Sequence, residues 1–253
     1  MTEAGARAGR ESGARRIFFY NWPIYLLAWA VGPALAISAL YARLPGAVWV
    51  GLGAGTALLW SALSLAVSFY IYDRSELSRG RWVRALAPER VDAWVSVDAG
   101  LDAEIDLDGA LPGECLGCVD IFDGSRMPAG SIRRARARTP RTRAAIASPP
   151  TALATRDASC DAVVVAFTAH ELRDASTRER FFHELFRTLR PRGRVLLVEH
   201  VRDAANCAVY GPGAFHFLPR AEWLRVARVA GFHVAAERRV TPFVVALALE
   251  KAA

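Results

Sequence analysis

Lysine is almost absent from this chain: of its 32 basic residues all but Lys251 are arginine. A skew of that kind follows from base composition, so the net charge of +7 names no ligand and is too mild to require a nucleic-acid partner. Cysteine is scarce too. Cys115, Cys118, Cys160 and Cys207 are too few to staple a domain of this size and are expected as free thiols. Cys115-Leu-Gly-Cys118 has the spacing of a zinc or redox pair, but no second CxxC and no HxxxH accompanies it, so small residues packed in a strand are expected there. The G-x-G-x-x-G of nicotinamide-binding folds is missing, which argues against a dehydrogenase. Charge is missing altogether from two long stretches.

No residue from Ile17 to Ala42 is charged, and none from Leu44 to Tyr72. Each run exceeds the ~20 residues that cross a bilayer. Only Arg43 separates them, and Leu44-Pro45-Gly46 supplies turn chemistry, so residues 17–72 are expected to form a transmembrane helical hairpin. Trp22, Tyr25, Tyr70 and Tyr72 would mark one interface, Tyr41 and Trp49 the other. Gly32-Pro33 predicts a kink in the first helix, and Gly51-x-x-x-Gly55 a small-residue face through which a homodimer could form. Arg7, Arg10, Arg15 and Arg16 precede the hairpin and Arg74, Arg79, Arg81 and Arg84 follow it, which predicts an inner-membrane protein with both termini and the following domain cytoplasmic. Residues 1–16 then form a basic tail and 73–89 a linker.

From residue 90 to 253 short apolar runs alternate with helical stretches. Trp94–Val97 ends in Asp98 and Cys115–Val119 in Asp120; Ala162–Phe167 and Val195–Val198 are unbroken apolar runs, the signature of strands buried on both faces. A helix between the last two carries the stripe Phe181, Phe182, Leu185, Phe186 and Leu189, with Ser176-x-x-Glu179 as a capping box. A second helix at 221–230 and strands at 232–236 and 243–249 follow. The alternation predicts a doubly wound α/β sheet with its ligands at the carboxyl ends of the strands.

Asp157-Ala-Ser-Cys-Asp-Ala-Val-Val-Val, a helix ending Leu-Arg-Pro-Arg-Gly-Arg, and Val-Leu-Leu-Val-Glu-His together resemble the fourth strand, helix and fifth strand of class I S-adenosylmethionine (SAM)-dependent methyltransferases; Gly231-Phe232 is similar to the opening of that family's sixth strand. The resemblance implies a seven-stranded Rossmann-like sheet, SAM as cofactor and methyl transfer as the activity. It places the first-strand acid and turn at Asp98-Ala-Gly100-Leu-Asp102-Ala-Glu104, with carboxylates where the family has its next two glycines. Asp120, with Ile121 beside it, takes the place of the acid that accepts both ribose hydroxyls, a task suited to a carboxylate. Thr168 falls at the end of the fourth strand. An adenine-contacting Asp after the third strand is not evident in Ala147-Ser-Pro-Pro150.

The distinctive polar clusters are Thr168-Ala-His170-Glu171-Leu-Arg173, Glu199-His200-Val-Arg202-Asp203 and Asn206 to His216. They are similar to those of a bacterial subgroup of membrane-tethered methyltransferase-like proteins. His170 is expected as the base, with Glu171 orienting it or pairing with an arginine such as Arg202; Glu199, His200, Arg202, Asn206 and His216 are expected on the substrate side. His183 and His233 are expected to be structural. Imidazole and carboxylate from His170, Glu171, His200 and His216 are good metal ligands, but nothing in their spacing forces a site and none is assigned. The run from Arg133 to Arg143 reads as a solvated face, or one turned to anionic headgroups. Tethering points to membrane lipids as partners and to a lipid, quinone or other small amphipathic substrate. The other reading, motivated by Asp102 and Glu104, is a non-catalytic descendant kept for binding or scaffolding.

Overall fold

The computed structural model describes residues 11–100, 105–127, 130–138 and 144–252. Helix α1 (Gly13–Tyr20) ends at Asn21, because Pro23 opens the next helix and has no N–H to continue the last one. The first apolar run is therefore two helices, not one. Among the described residues two helices are long and apolar enough to cross a membrane: α2 (Trp22–Tyr41) and α3 (Ala47–Phe69, extended by further turns to Arg79). They are joined by a turn with Arg43 and Gly46 at positive φ. A π turn, Leu27–Val31, precedes Gly32-Pro33 in α2. Ile37 is 66% exposed and Leu59 73%, and a side chain added at Gly51, Gly53 or Gly55 would touch nothing. The outer face of the hairpin is apolar and bare.

The end of α3 behaves differently. Ile71, Leu77, and then Trp82, Val83 and Leu86 of α4 (Arg81–Leu86) are buried in one of the two core clusters of the sheet. The stretch expected as a linker is thus a layer of the domain, and its apolar residues, not its arginines, decide its place. Asp73 ties the two ends of the hairpin together by accepting from Ser12 Oγ and from the Gly13 and Ala14 amides at the start of α1.

Seven strands follow: β1 (Ala93–Asp98), β2 (Glu114–Asp120), β3 (Ala145–Ala147), β4 (Cys160–Ala166), β5 (Leu189–His200), β6 (Phe232–Thr241) and β7 (Val244–Lys251). They lie in the order β3-β2-β1-β4-β5-β7-β6, parallel except for β7, which runs antiparallel to β5 and β6. Strand side chains alternate faces, and the two cores follow that period. Val95, Val97, Val163, Val165, Val195 and Leu197 face one core; Trp94, Val164, Leu196 and Val198 face the other.

The first core is covered by α6 (Gly130–Arg138), α7 (Ala175–Thr188) and α9 (Arg220–Val229), through Ile132, Phe181, Phe182, Leu185 and Trp223. The cap of α7 is Asp174, whose carboxylate accepts from the Thr177 amide and from Ser176 Oγ; a carboxylate outcompetes the neighbouring hydroxyl expected as the cap. Between β1 and β2 the only described helix is the short α5 (Leu107–Ala110). Helix α8 (Ala204–Tyr210) follows β5 and meets the hairpin, where Trp60 Nε1 donates to Ala208 O at 2.7 Å.

Candidate active site

The parallel strands end together, so the polar residues that follow them converge on one edge of the sheet. At the ends of β1 and β2, Asp98 accepts from the Gly100 amide and from Cys118 Sγ, and Gly100 takes φ +83°, which no other residue adopts without strain. Asp120 is buried, and Ile121 beside it fully so. The Arg136 guanidinium donates to both carboxylate oxygens of Asp120, at 3.1 and 2.9 Å, and to Ala99 O at 3.0 Å. It also stacks over Phe122, 4.2 Å from the ring centre. A Cβ on Gly100 would meet this guanidinium at 2.6 Å, so the arginine fills the cradle that the bare glycine leaves. Arg136 belongs to the run expected as a solvated face, and no local pattern marks it as different from its neighbours. Asp102 lies outside the described residues.

At the ends of β4 and β5 the polar clusters meet. Ala166 of β4 pairs with Val198 of β5, which sets the residues just beyond side by side. Phe167 takes a positive φ of 50°, strained for a bulky residue, and the chain doubles back into a 3₁₀ turn, Ala169–Glu171. His170 Nδ1 lies 2.7 Å from Glu199 Oε2. Its Nε2 is 3.6 Å from Glu171 Oε1, and His216 Nε2, on the 3₁₀ turn Gly211–His216, is 3.3 Å from the same oxygen. His170, Glu171 and Glu199 are all buried. Burial opposes a charge on His170, but Glu199 and Glu171 outweigh it and lift its pKa to about 10. Burial likewise opposes ionisation of Glu171, and hydrogen bonds from His170 and His216 overcome it, holding the carboxyl well below its usual range. With these partners the imidazole expected as a base is a donor to Glu199.

His200 has a separate role. Its Nδ1 faces Phe243 O at 3.0 Å, a pure acceptor, so that nitrogen carries the proton and Nε2 accepts from Tyr72 OH at 2.9 Å. Burial pushes its pKa down to about 4, and its ring stacks on Phe217 with centroids 4.8 Å apart. Asn206, expected to face the substrate, is fully buried and ties Val201 O to Phe243 O through Nδ2. Thr168 is also buried and donates to Ala166 O. Arg202 lies over the Phe215 ring, too peripheral to pair with Glu171.

Between these strand ends and the hairpin lies a cavity of about 1320 Å³. One wall carries Tyr72, His170, Glu171, His200 and His216; the other is built from hairpin side chains, among them Ile24, Leu27, Leu35, Ala57 and Trp60. Tyr72, Phe167, Tyr210 and Phe217, which enclose His200, were not legible as site residues. Tyr72 reads as an interfacial aromatic and Phe167 as the end of a buried strand; Tyr210 and Phe217 fall within or beside the Asn206–His216 cluster, with nothing in it to single them out.

The family model of a methyltransferase domain matches residues 122–197, from just after Asp120 into β5. Three solved structures share the fold. A SAM-dependent methyltransferase from Aquifex aeolicus is 16% identical with a TM-score of 0.50, covering 76% of this chain and 97% of that one. The putative methyltransferase in complex with the Trm112 methyltransferase activator of Haloferax volcanii is 15% identical at 0.52, covering 77% and 96%. The pyocyanin biosynthetic protein PhzM is 16% identical at 0.54, covering 100% and 77%. No curated protein sequence matches.

The domain is a methyltransferase with the fold of SAM-dependent enzymes. The structural likenesses show its fold, and the domain match over residues 122–197 shows the kind of enzyme. The residues at the β1 and β2 ends of this methyltransferase fit SAM. Asp120 offers two carboxylate oxygens to paired donors, as a vicinal diol requires, and Gly100 leaves room for close approach to the backbone. The Arg136 guanidinium, itself a pair of donors, stands in that place.

Proposed function

We propose that this methyltransferase is held in the cytoplasmic membrane by its hairpin, with both termini and the catalytic domain cytoplasmic, and methylates an amphipathic acceptor, a lipid or an isoprenoid quinone, that enters from the bilayer. The observation that carries the reading is the shared cavity, apolar where α2 and α3 line it and polar where β4 and β5 end. Burial contributes about 0.8 kcal/mol per methylene, so a tail of roughly eight carbons would outweigh the ~1 kcal/mol of each orienting hydrogen bond. The polar end then selects the headgroup and the apolar wall supplies the affinity. The exposed apolar faces of both helices support the anchor, since they need surroundings that water does not provide. A homodimer through the bare Gly51–Gly55 face belongs to the same reading.

Bound SAM supplies an electrophilic methyl group. What the protein contributes to such a transfer is mostly alignment and exclusion of water; the packed ring of Tyr72, Phe167, His200 and Phe217 supplies a rigid wall for both. The test is full-length protein in detergent with radiolabelled SAM and a membrane lipid extract. Label is expected in the organic phase. A protein that binds SAM yet labels only water-soluble acceptors would overturn the lipid and quinone assignment.

A further inference from the structure

We propose that His170 Nε2, Glu171 and His216 Nε2 form a binding site for a divalent transition-metal ion, with Glu199 as the group that orients His170. This goes beyond methyl transfer and does not depend on it. The donor atoms of these three side chains lie within 4.8 Å of one another. Ligands ~2.1 Å from a common ion are at most ~4.2 Å apart, so side-chain shifts of roughly half an ångström close the triangle.

Two imidazoles and one carboxylate make a donor set suited to zinc, iron or cobalt, and three protein ligands leave coordination positions for a further group. Those positions face the cavity, because all three residues line it. The surroundings are those of a built site. Glu199 Oε2 holds His170 Nδ1 at 2.7 Å, the carboxylate–histidine arrangement that fixes a metal-ligating ring and leaves Nε2 for the ion. Arg173 Nη1 donates to the carbonyl oxygens of both His216 and His170, clamping the two ligand-bearing turns to each other.

His200, the fourth residue of the sequence cluster, is excluded, because Tyr72 and Phe243 use both of its ring nitrogens.

The experiment uses full-length protein in detergent, stripped with a chelator and titrated with Co²⁺ while its visible d–d bands are followed, then with Zn²⁺ as competitor; no SAM or acceptor is needed. Saturable, stoichiometric bands displaced by Zn²⁺ are expected. His216→Ala, on a half-exposed turn, should abolish them, and Glu199→Gln should weaken binding 10- to 100-fold as loss of an orienting partner does. His233→Ala, an exposed histidine on β6, should change nothing. Thermal melts of each variant separate loss of the site from loss of the fold. Absence of saturable binding, or bands unchanged in a folded His216→Ala, would overturn the site. Failure of methyl transfer with metal binding intact would count against the acceptor assignment alone.

Discussion

At the scale of single residues, position overrides type. The lone lysine, Lys251, donates to Phe186 O and Leu189 O at 2.8 Å each, at the end of α7 where carbonyls lack helical partners and the macrodipole favours a cation. Arg136, one arginine of many, occupies the Asp120 carboxylate, the acid expected to hold the cofactor's ribose. That ion pair is part-exposed, so its removal is a matter of about 1 kcal/mol rather than several. Arg136→Ala should therefore tighten SAM binding by about fivefold in calorimetric titration, while Asp120→Ala should weaken it. Weaker binding by Arg136→Ala would mean that the arginine assists the cofactor rather than competing with it. Tyr72→Phe removes the donor to His200 Nε2 and leaves a buried acceptor unpaired, which should cost about 1–3 kcal/mol in chemical denaturation.

At the scale of elements, α7 and α9 are locked by a charge network. Arg178 and Arg225 both donate to Glu222, and Arg225 also reaches Glu179. The Arg225 hydrogen bond, against opposing burial and with help from Arg178, lowers the Glu222 pKa from 4.5 to about 2. A carboxyl depressed in the folded state contributes stability above its unfolded pKa and loses it as pH falls through the folded value. The advantage of wild type over Glu222→Gln should thus be full at neutral pH, about 1–2 kcal/mol after discounting for solvent screening. It should fade as the pH falls from 4.5 towards 2. Melting curves of the two proteins across that range check it; a gap that does not narrow would place the effect in packing.

At the scale of the whole molecule, the apolar hairpin does two jobs. Ile37 and Leu59 face outward, whereas Ile71, only turns further along, is sealed into the core of the domain. A charge at an outward position costs about 2.5–3.5 kcal/mol of membrane insertion and nothing in folding. Ile37→Asp and Leu59→Arg together should release the protein from carbonate-washed membranes while leaving its detergent melting temperature unchanged. Ile71→Asp should instead unfold the domain, since it places an unpaired charge in a dry core. Retention of this double variant in carbonate-washed membranes would remove the hairpin as an anchor.

Local pattern carried a good part of the architecture. The apolar runs at 94–97, 115–119, 162–167 and 195–198, the helix between the last two and the Leu-Arg-Pro-Arg-Gly-Arg turn were legible because a strand buried on both faces and an amphipathic helix are each written in consecutive residues. Strand ends then named Asp98, Asp120, His170, Glu171 and Glu199, and the loop cluster from Asn206 named His216. The edge strand β3, three residues long, has no period to read, and the layer from Ile71 to Leu86 hid behind its arginines. What only the tertiary structure decided is who meets whom. His170 meets Glu199 because β4 and β5 pair in parallel register; His216 meets Glu171 because a turn from beyond α8 folds back; Tyr72 meets His200 because the end of the hairpin packs against the sheet. Such contacts join residues far apart in the chain, and their energy comes from burying shared surface and satisfying polar groups in three dimensions, which no window of sequence contains.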